Sequence, residues 1–497
     1  MMTLLGLTLS VLLPTLLGIA LVRLQLRSRP PNEAREAALN WPLVIGYGGI
    51  VGAIVTTLLM RLFSLLGVAW NFWILSGIMF AAAIVLHLIS QNNQRGAMVS
   101  LYEKNAPKVA GNQPEAWLKW AFYGLFALLL FRFITLSIEV LQRPLYPWDA
   151  WTQWATKAKV FFQYQGLVSF ATLDTYLTAD ASAVFTDAAP TYPPTVSLLQ
   201  AFTALSISRF DDALVNLPWL SCWVFLCAGF YGQARAWGLS ATAAMLATYA
   251  LGSLPFMNTH VALAGYAELH IATVYSLGAI AFFSWAQTAN SVAMGNRLRQ
   301  LLLAGFLLLA CVEIKRPGIF WLLTIVPGII VWWRPKLGLV AFAVAAVALL
   351  VGIVVMAKSG LAIGGFAISQ DLNQVSVPII ENIFLMGNWN LFFFFGLCIM
   401  AVAWRSLLDG VHAVITVVVA AGCVFLAAVF YFRIAQYVTD FTTINRAVVH
   451  FVPVLVFYFA TLAWARIYQT PQTQNATQEE YAEFYRGRLQ AADTPNR

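Results

Sequence analysis

Runs of about twenty apolar residues recur along the whole chain, and each is long enough to cross the hydrocarbon core of a bilayer. No other feature restricts the fold so strongly. A backbone in lipid must satisfy its own hydrogen bonds, which leaves helices and closed barrels. The runs lack the alternation of barrel strands, so the expected fold is an all-α polytopic membrane protein. Charged residues make up only 10% of the 497 positions, against roughly 25% in a soluble domain, which excludes a soluble globule. Cys222, Cys227, Cys311, Cys398 and Cys423 all lie in apolar runs without paired-ligand spacing, so they read as small hydrophobes. The net charge of +8 points to topology and anionic lipid, and no nucleic-acid partner is expected.

About thirteen spans are expected, near 3–22, 42–62, 69–89, 117–138, 212–232, 239–256, 268–287, 299–313, 318–333, 338–356, 391–404, 411–431 and 447–465. The first run has no basic residue before it and no small-residue cleavage pattern, so it reads as a spanning helix with its N-terminus outside. With that orientation, 18 of the 29 basic residues fall in inner segments, ten fall outside, and Arg132 lies within a span. The bias follows the positive-inside rule. The inner set includes Arg27, Arg29, Arg35, Arg95, Lys104 and Lys108. Three units result: N-terminal helices over 1–116, a core over 117–465 with outer segments 139–211 and 357–390, and a cytoplasmic tail over 466–497.

The first outer segment opens with "YPWDAWTQWATKAKVFF" (146–162). Read as a helix, it aligns Trp148, Trp151 and Trp154 at three-residue steps, with Asp149, Gln153 and Lys157 at four-residue steps on another side. The pattern predicts an amphipathic helix in the membrane interface, tryptophans toward the headgroups. "PTYPPTVSLLQAF" (190–202) predicts a second amphipathic helix after Tyr192. "GYAELH" (265–270) puts Tyr266, Glu268 and His270 where a span begins on the outer side. "EIKRPG" (313–318) puts Lys315 and Arg316 in a short outer turn, and "TTINRAVVHFVP" (442–453) puts Arg446 at the outer start of the last span, with His450 one turn deeper.

Taken singly, each has a bland explanation. Basic residues at helix ends snorkel to headgroups, and a glutamate at a helix N-terminus answers the dipole. Together they run against the topology bias, and ionisable groups at membrane depth mark functional sites. Cations there suit a lipid phosphate, and a carboxylate suits a general base. Transfer of a sugar from a polyprenyl phosphate to a hydroxyl needs both.

These segments resemble the GT-C superfamily of integral-membrane glycosyltransferases, which use polyprenyl-phosphate-linked sugars. "YPWDAWTQWATKAKVFF" is similar to the family's first-loop acidic element, with Asp149 at the acid; "TYPPTVSLLQ" resembles its Tyr-Pro-Pro segment; "GYAELH" resembles a Gly-Tyr-Ala-Asp segment with Glu268 in place of the aspartate. "EIKRPG" resembles a Lys-Asn-Glu-Gly turn at Lys315 and Gly318 but departs from it at Arg316 and Pro317, and "INRAVVHFVP" resembles the arginine-bearing start of a late helix, at Arg446. The likeness covers about 117–465; the three helices before it are additional to the family core.

The resemblance implies an inverting single displacement with Asp149 as general base and Glu268 as its acidic companion. It assigns Arg446, Lys315, Arg316 and Lys157 to donor phosphate, and Trp148, Tyr192, Tyr266 and His270 to the substrate pocket. No cofactor or metal is required; a divalent ion bridging Asp149 and Glu268 stays open as an alternative. The expected partners are a polyprenyl-phosphate lipid and a glycan, glycolipid or protein acceptor. The expected location is the bacterial inner (cytoplasmic) membrane, active site periplasmic and C-terminus cytoplasmic. Two other functions compete: a ligase moving a whole glycan from a polyprenyl diphosphate, and a lipid or solute transporter.

Overall fold

The computed structural model describes residues 2–25, 40–92, 116–178, 185–288, 294–359, 362–363, 366–367, 372–433, 438, 441 and 443–468. The basic residues Arg27, Arg29, Arg35, Arg95, Lys104, Lys108, Arg486, Arg488 and Arg497 lie outside the described residues, as do the tail from 469 onward and part of the 357–390 segment.

The chain begins with α1 (Met2–Gln25), α2 (Trp41–Leu65), α3 (Phe72–Asn92) and α4 (Ala116–Gln142). A segment with α5 (Ala155–Tyr164), β1 (Phe170–Ala171), α6 (Leu173–Thr178), β2 (Phe185–Thr186) and α7 (Thr195–Ser206) follows. Then come α8 (Leu217–Ala236), α9 (Ala241–Ser253), α10 (Pro255–Ala262), α11 (Glu268–Thr288), α12 (Met294–Ile314), α13 (Gly318–Leu323), α14 (Ile325–Trp333) and α15 (Pro335–Ser359). After the short pair β3 (Ala362–Ile363) and β4 (Phe366–Ala367) come α16 (Asn373–Ile380), α17 (Phe392–Val402), α18 (Gly410–Ala428), α19 (Ile444–Val449) and α20 (Val452–Tyr468). β1 pairs with β2 in parallel and β3 with β4 antiparallel, two small additions to an otherwise helical chain.

Among the described residues, eight helices are long and apolar enough to cross a membrane. Other expected spans are shorter or broken, for local reasons. The run expected at 239–256 is cut at Leu254: Pro255 cannot donate to the helical ladder, and it starts α10 instead. The run at 318–333 divides at Thr324 into α13 and α14. The run at 391–404 yields only the 11 residues of α17. α11 stands at the centre, its apolar window buried throughout.

The N-terminal helices are built into this bundle. Glycines on two sides of α2 let it approach two neighbours at backbone distance, which is how helices associate in lipid. A Cβ on Gly52 would run into the Pro14 carbonyl of α1, and one on Gly46 would run into Gly229 of α8. Between these contacts the buried Tyr47 hydroxyl donates to the Leu277 carbonyl (2.8 Å) and accepts from the Gln233 amide (2.8 Å). Gly6 abuts Ser206, so α1 starts at the end of the bundle that carries the 139–211 segment.

That segment corrects two expectations. Residues 150–154 form a π-helical turn ahead of α5, not a continuous α-helix. A π turn inserts an extra residue per turn and breaks the three-residue register. Trp148 and Trp151 stay 69% and 58% exposed, while Trp154 turns fully inward against Tyr192, with ring centroids 5.8 Å apart. The second predicted amphipathic helix, α7, is buried along almost its whole length and packs on α1, α2 and α5. Its Ser197 hydroxyl donates to the Trp154 carbonyl (2.7 Å), which fixes α7 under the tryptophan-rich turn.

Candidate active site

Asp149, Glu268, Lys315 and Arg446 come from four distant segments and meet in one ion cluster. Each reaches it from the end of a helix. Asp149 sits just before the π turn, and its carboxylate caps no helical N–H. Glu268 opens α11, Lys315 follows the last residue of α12, and Arg446 lies in α19.

Two glycines make the approach possible. Gly265 has φ +122°, which L side chains rarely adopt, and a Cβ there would come 2.5 Å from the Cβ of Ala150. This lets the Tyr266–Glu268 strip press against the Asp149 turn. At Gly318 a Cβ would run into the Cys311 carbonyl, so the glycine lets α13 fold back against α12 and holds Lys315 at the turn.

Glu268 is the hub. Its Oε1 accepts from Lys315 Nζ (2.7 Å) and Arg446 Nε (2.7 Å), and lies 2.6 Å from Arg446 Nη2. Arg446 Nη2 also donates to Asp149 Oδ2. The guanidinium stacks on the Tyr266 ring, 4.4 Å to the centroid, a cation–π contact. Burial disfavours its charge, but Glu268 and Asp149 outweigh that and hold the group protonated above its ordinary range. Burial raises the Tyr266 phenol, so it stays neutral. The Glu268 side chain is 1% exposed and Asp149 14%. Two carboxylates face two cations, so the cluster carries no excess charge.

A neutral polar shell surrounds it. His260 packs against Phe256 and Tyr266, its Nδ1 is buried without a partner, and burial pushes its pKa down to about 4 despite the pull of Glu268. His450 accepts a hydrogen bond from Trp321 Nε1 (3.0 Å). Asn445, beside Arg446, accepts from Trp389 Nε1 (2.9 Å) and donates to Asn382 (2.6 Å), so side chains near the second outer segment orient α19.

The other expected site residues lie elsewhere. Lys157 turns away from the cluster: Nζ meets the Ala189 carbonyl (2.6 Å) and Asp187 Oδ2 (3.1 Å), under the Phe170 ring. Burial lowers the Lys157 pKa and raises that of Asp187, each shift opposed by the other's charge. Arg316 is exposed, donates to Thr191 Oγ1 and lies over the Tyr192 ring at 5.5 Å. Trp148 is exposed. His270 makes no ion pair with the cluster; it packs edge-on to Trp219 and lines an apolar cavity of about 60 Å³ with Thr195, Thr203 and Ser221.

Sequence reasoning missed Arg61, Asp187, His260 and the Asn382–Asn445 pair. Arg61 joins Glu313 (2.6 Å) to Thr195 (2.7 Å) at the same end of the bundle, and the counter-bias basic-residue argument that singled out Lys315 also applied to it. Asp187 and Lys157 are thirty positions apart and carried no shared signal.

The Arg446 guanidinium lies between the two carboxylates that a bridging metal would join. Among the described residues, no group of three or more His, Cys, Asp or Glu side chains converges as metal ligands would. A scan against protein-family models, a search of curated proteins and a search of solved structures each return no match.

Proposed function

We propose that this protein is a GT-C-type membrane glycosyltransferase that moves a sugar from a polyprenyl-phosphate donor to an acceptor hydroxyl. The observation that carries the reading is the convergence of Asp149, Glu268, Lys315 and Arg446, from four distant segments, at one end of a membrane bundle. With the thirteen passes expected from the sequence, the two termini lie on opposite faces, and in this reading the site lies on the periplasmic face of a bacterial inner membrane, with the C-terminus in the cytoplasm.

In this reading Asp149 accepts the acceptor's hydroxyl proton as the oxygen attacks the anomeric carbon. The bond from that carbon to the phosphate oxygen breaks on the opposite face, and the centre inverts. The phosphate changes from a singly charged diester to a doubly charged monoester. Arg446 and Lys315 meet that growing charge in a water-poor setting where preorganised cations are effective. Glu268 holds both cations in place. Arg316, beside Tyr192, receives the outer part of the substrate. No metal enters this scheme.

A ligase for polyprenyl-diphosphate glycans is the second reading. The Asp149–Arg446 ion pair favours it, since an acid there can serve as a counter-ion without acting as a base. The test is transfer from a panel of radiolabelled polyprenyl-phosphate sugars to an envelope acceptor fraction, by wild type and by Asp149→Asn. Glycosyl transfer predicts activity with one donor and its loss, by at least a hundredfold, in the folded variant. Activity that survives the substitution shifts the function to the ligase. Lipid movement without transfer by any donor makes the protein a transporter.

A further inference from the structure

The transfer scheme leaves a conflict at Arg446. Its Nη2 is shared between Asp149 Oδ2 and Glu268 Oε1, and its Nε also serves Glu268. Lys315 is engaged by Glu268 as well. Positive and negative charges cancel, so no cation in the cluster is spare for a phosphate. An anion that takes Arg446 must displace a carboxylate.

The two carboxylates are not equally displaceable. Glu268 is 1% exposed and holds two cations, so removing Arg446 from it would strip a partner from a fully desolvated charge. Breaking a buried ion pair in that way is strongly unfavourable. Asp149 is 14% exposed, and among the described residues Arg446 is its one ion-pair partner. Water can replace the guanidinium at Asp149 and cannot at Glu268.

We propose that Arg446 is a ligand-operated latch on Asp149: a lipid phosphate bound at Arg446 releases the Asp149 carboxylate, so donor must bind before the acceptor hydroxyl is deprotonated. The order of events rests on the glycosyl-transfer reading; the displacement requires only that a phosphate binds. Before the donor arrives, the Asp149 oxygen that would take the proton is occupied by Arg446. Once the phosphate takes the guanidinium, that oxygen is free. The acceptor proton moves to it, the new bond to the anomeric carbon forms, and polyprenyl phosphate leaves as the dianion paired with Arg446.

The test is titration of farnesyl phosphate onto the full chain in nanodiscs. If Asp149 competes for Arg446, removing it tightens phosphate binding. Asp149→Asn and Asp149→Ala are each expected to bind about tenfold tighter than wild type. Arg446→Gln is expected to lose at least tenfold, and the Asp149→Asn/Arg446→Gln double variant to show no gain over Arg446→Gln alone. Glu139→Gln removes a negative charge from the exposed Glu139–Arg143 pair and is expected to change affinity less than twofold. Binding by the Asp149 variants that is equal to or weaker than wild type overturns the latch. So does a gain that persists without Arg446, or no binding by any of these proteins. Tightening without sugar transfer in the assay above leaves the latch standing and defeats the transfer reading; transfer without tightening does the reverse.

Discussion

The Lys157–Asp187 pair and the Glu268–Arg446 cluster stand at the same end of the bundle and use the same kinds of charge. Lys157 has its ammonium enclosed by Asp187, the Ala189 carbonyl and the Phe170 ring, all from its own outer segment. That arrangement ties α5 to the strip before α7. Arg446 instead divides one guanidinium between carboxylates that lie 297 and 178 positions away in the chain. One of these is sealed and the other is partly open. A buried charge whose partners all come from one local fold acts as a staple, while a charge shared between a sealed and an open partner can exchange the open one for a ligand.

The comparison breaks first at Glu268. Glu268→Gln removes the shared counter-ion of two cations and is expected to cost about 3–5 kcal/mol of stability, read as thermal unfolding in detergent. Adding Lys315→Met to that variant should recover part of the loss; no recovery would mean that Glu268 does not compensate Lys315.

Arg446→Gln is expected to reduce transfer about 10²–10³-fold, or about 2.7–4 kcal/mol of barrier. Arg446→Lys should restore only a part, since an ammonium is a point charge and cannot serve two carboxylates with a planar fork. Full restoration would show that only the charge matters.

His260 gives a pH test of the same region. Its folded pKa of about 4 lies below the ordinary value of 6.5, so the unfolded chain binds more protons between those limits. Stability therefore holds above pH 6.5 and falls as the pH drops toward 4, by about 3 kcal/mol from this group. His260→Gln is expected to flatten that part of the unfolding profile. The groups that face it are Glu268, Lys315, Arg446 and His450, so the comparison must be made between otherwise identical proteins.

The smallest effect is expected at the staple. Burial already pushes Lys157 and Asp187 toward their neutral forms. Asp187→Ala should cost about 1–3 kcal/mol of stability and leave the transfer rate within a few-fold. A hundredfold loss of transfer in a folded Asp187→Ala protein would place Lys157 in the active site and erase the distinction between the two clusters.

The residues of the ion cluster are legible in the sequence because membrane topology makes charge at one face informative. Lys315 and Arg446 stood out as cations on the side where the positive-inside rule leaves few, and Asp149 and Glu268 stood out as acids at span ends. Lys157 meets the same criterion, and the structure pairs it with Asp187 and the Ala189 carbonyl instead of the cluster. The periodicity of the tryptophan-rich stretch misled, because a π turn shifts the register and no residue type announces it. α7 reads as an amphipathic helix in the sequence, yet α1, α2 and α5 cover almost all of it.

Hydrophobic run length and low charge determined by themselves that this chain is a bundle of membrane helices, since lipid leaves a backbone so few ways to satisfy its hydrogen bonds. They also determined that its acids and cations gather at helix ends, because charge in the hydrocarbon core is costly. Which charges meet was decided by the tertiary structure alone. Ion pairing acts across a few ångströms, while Asp149 and Arg446 are 297 positions apart. Gly265 and the folded-back turn at Gly318 bring the backbones close, Glu268 collects two cations, and Lys157 is drawn away to Asp187.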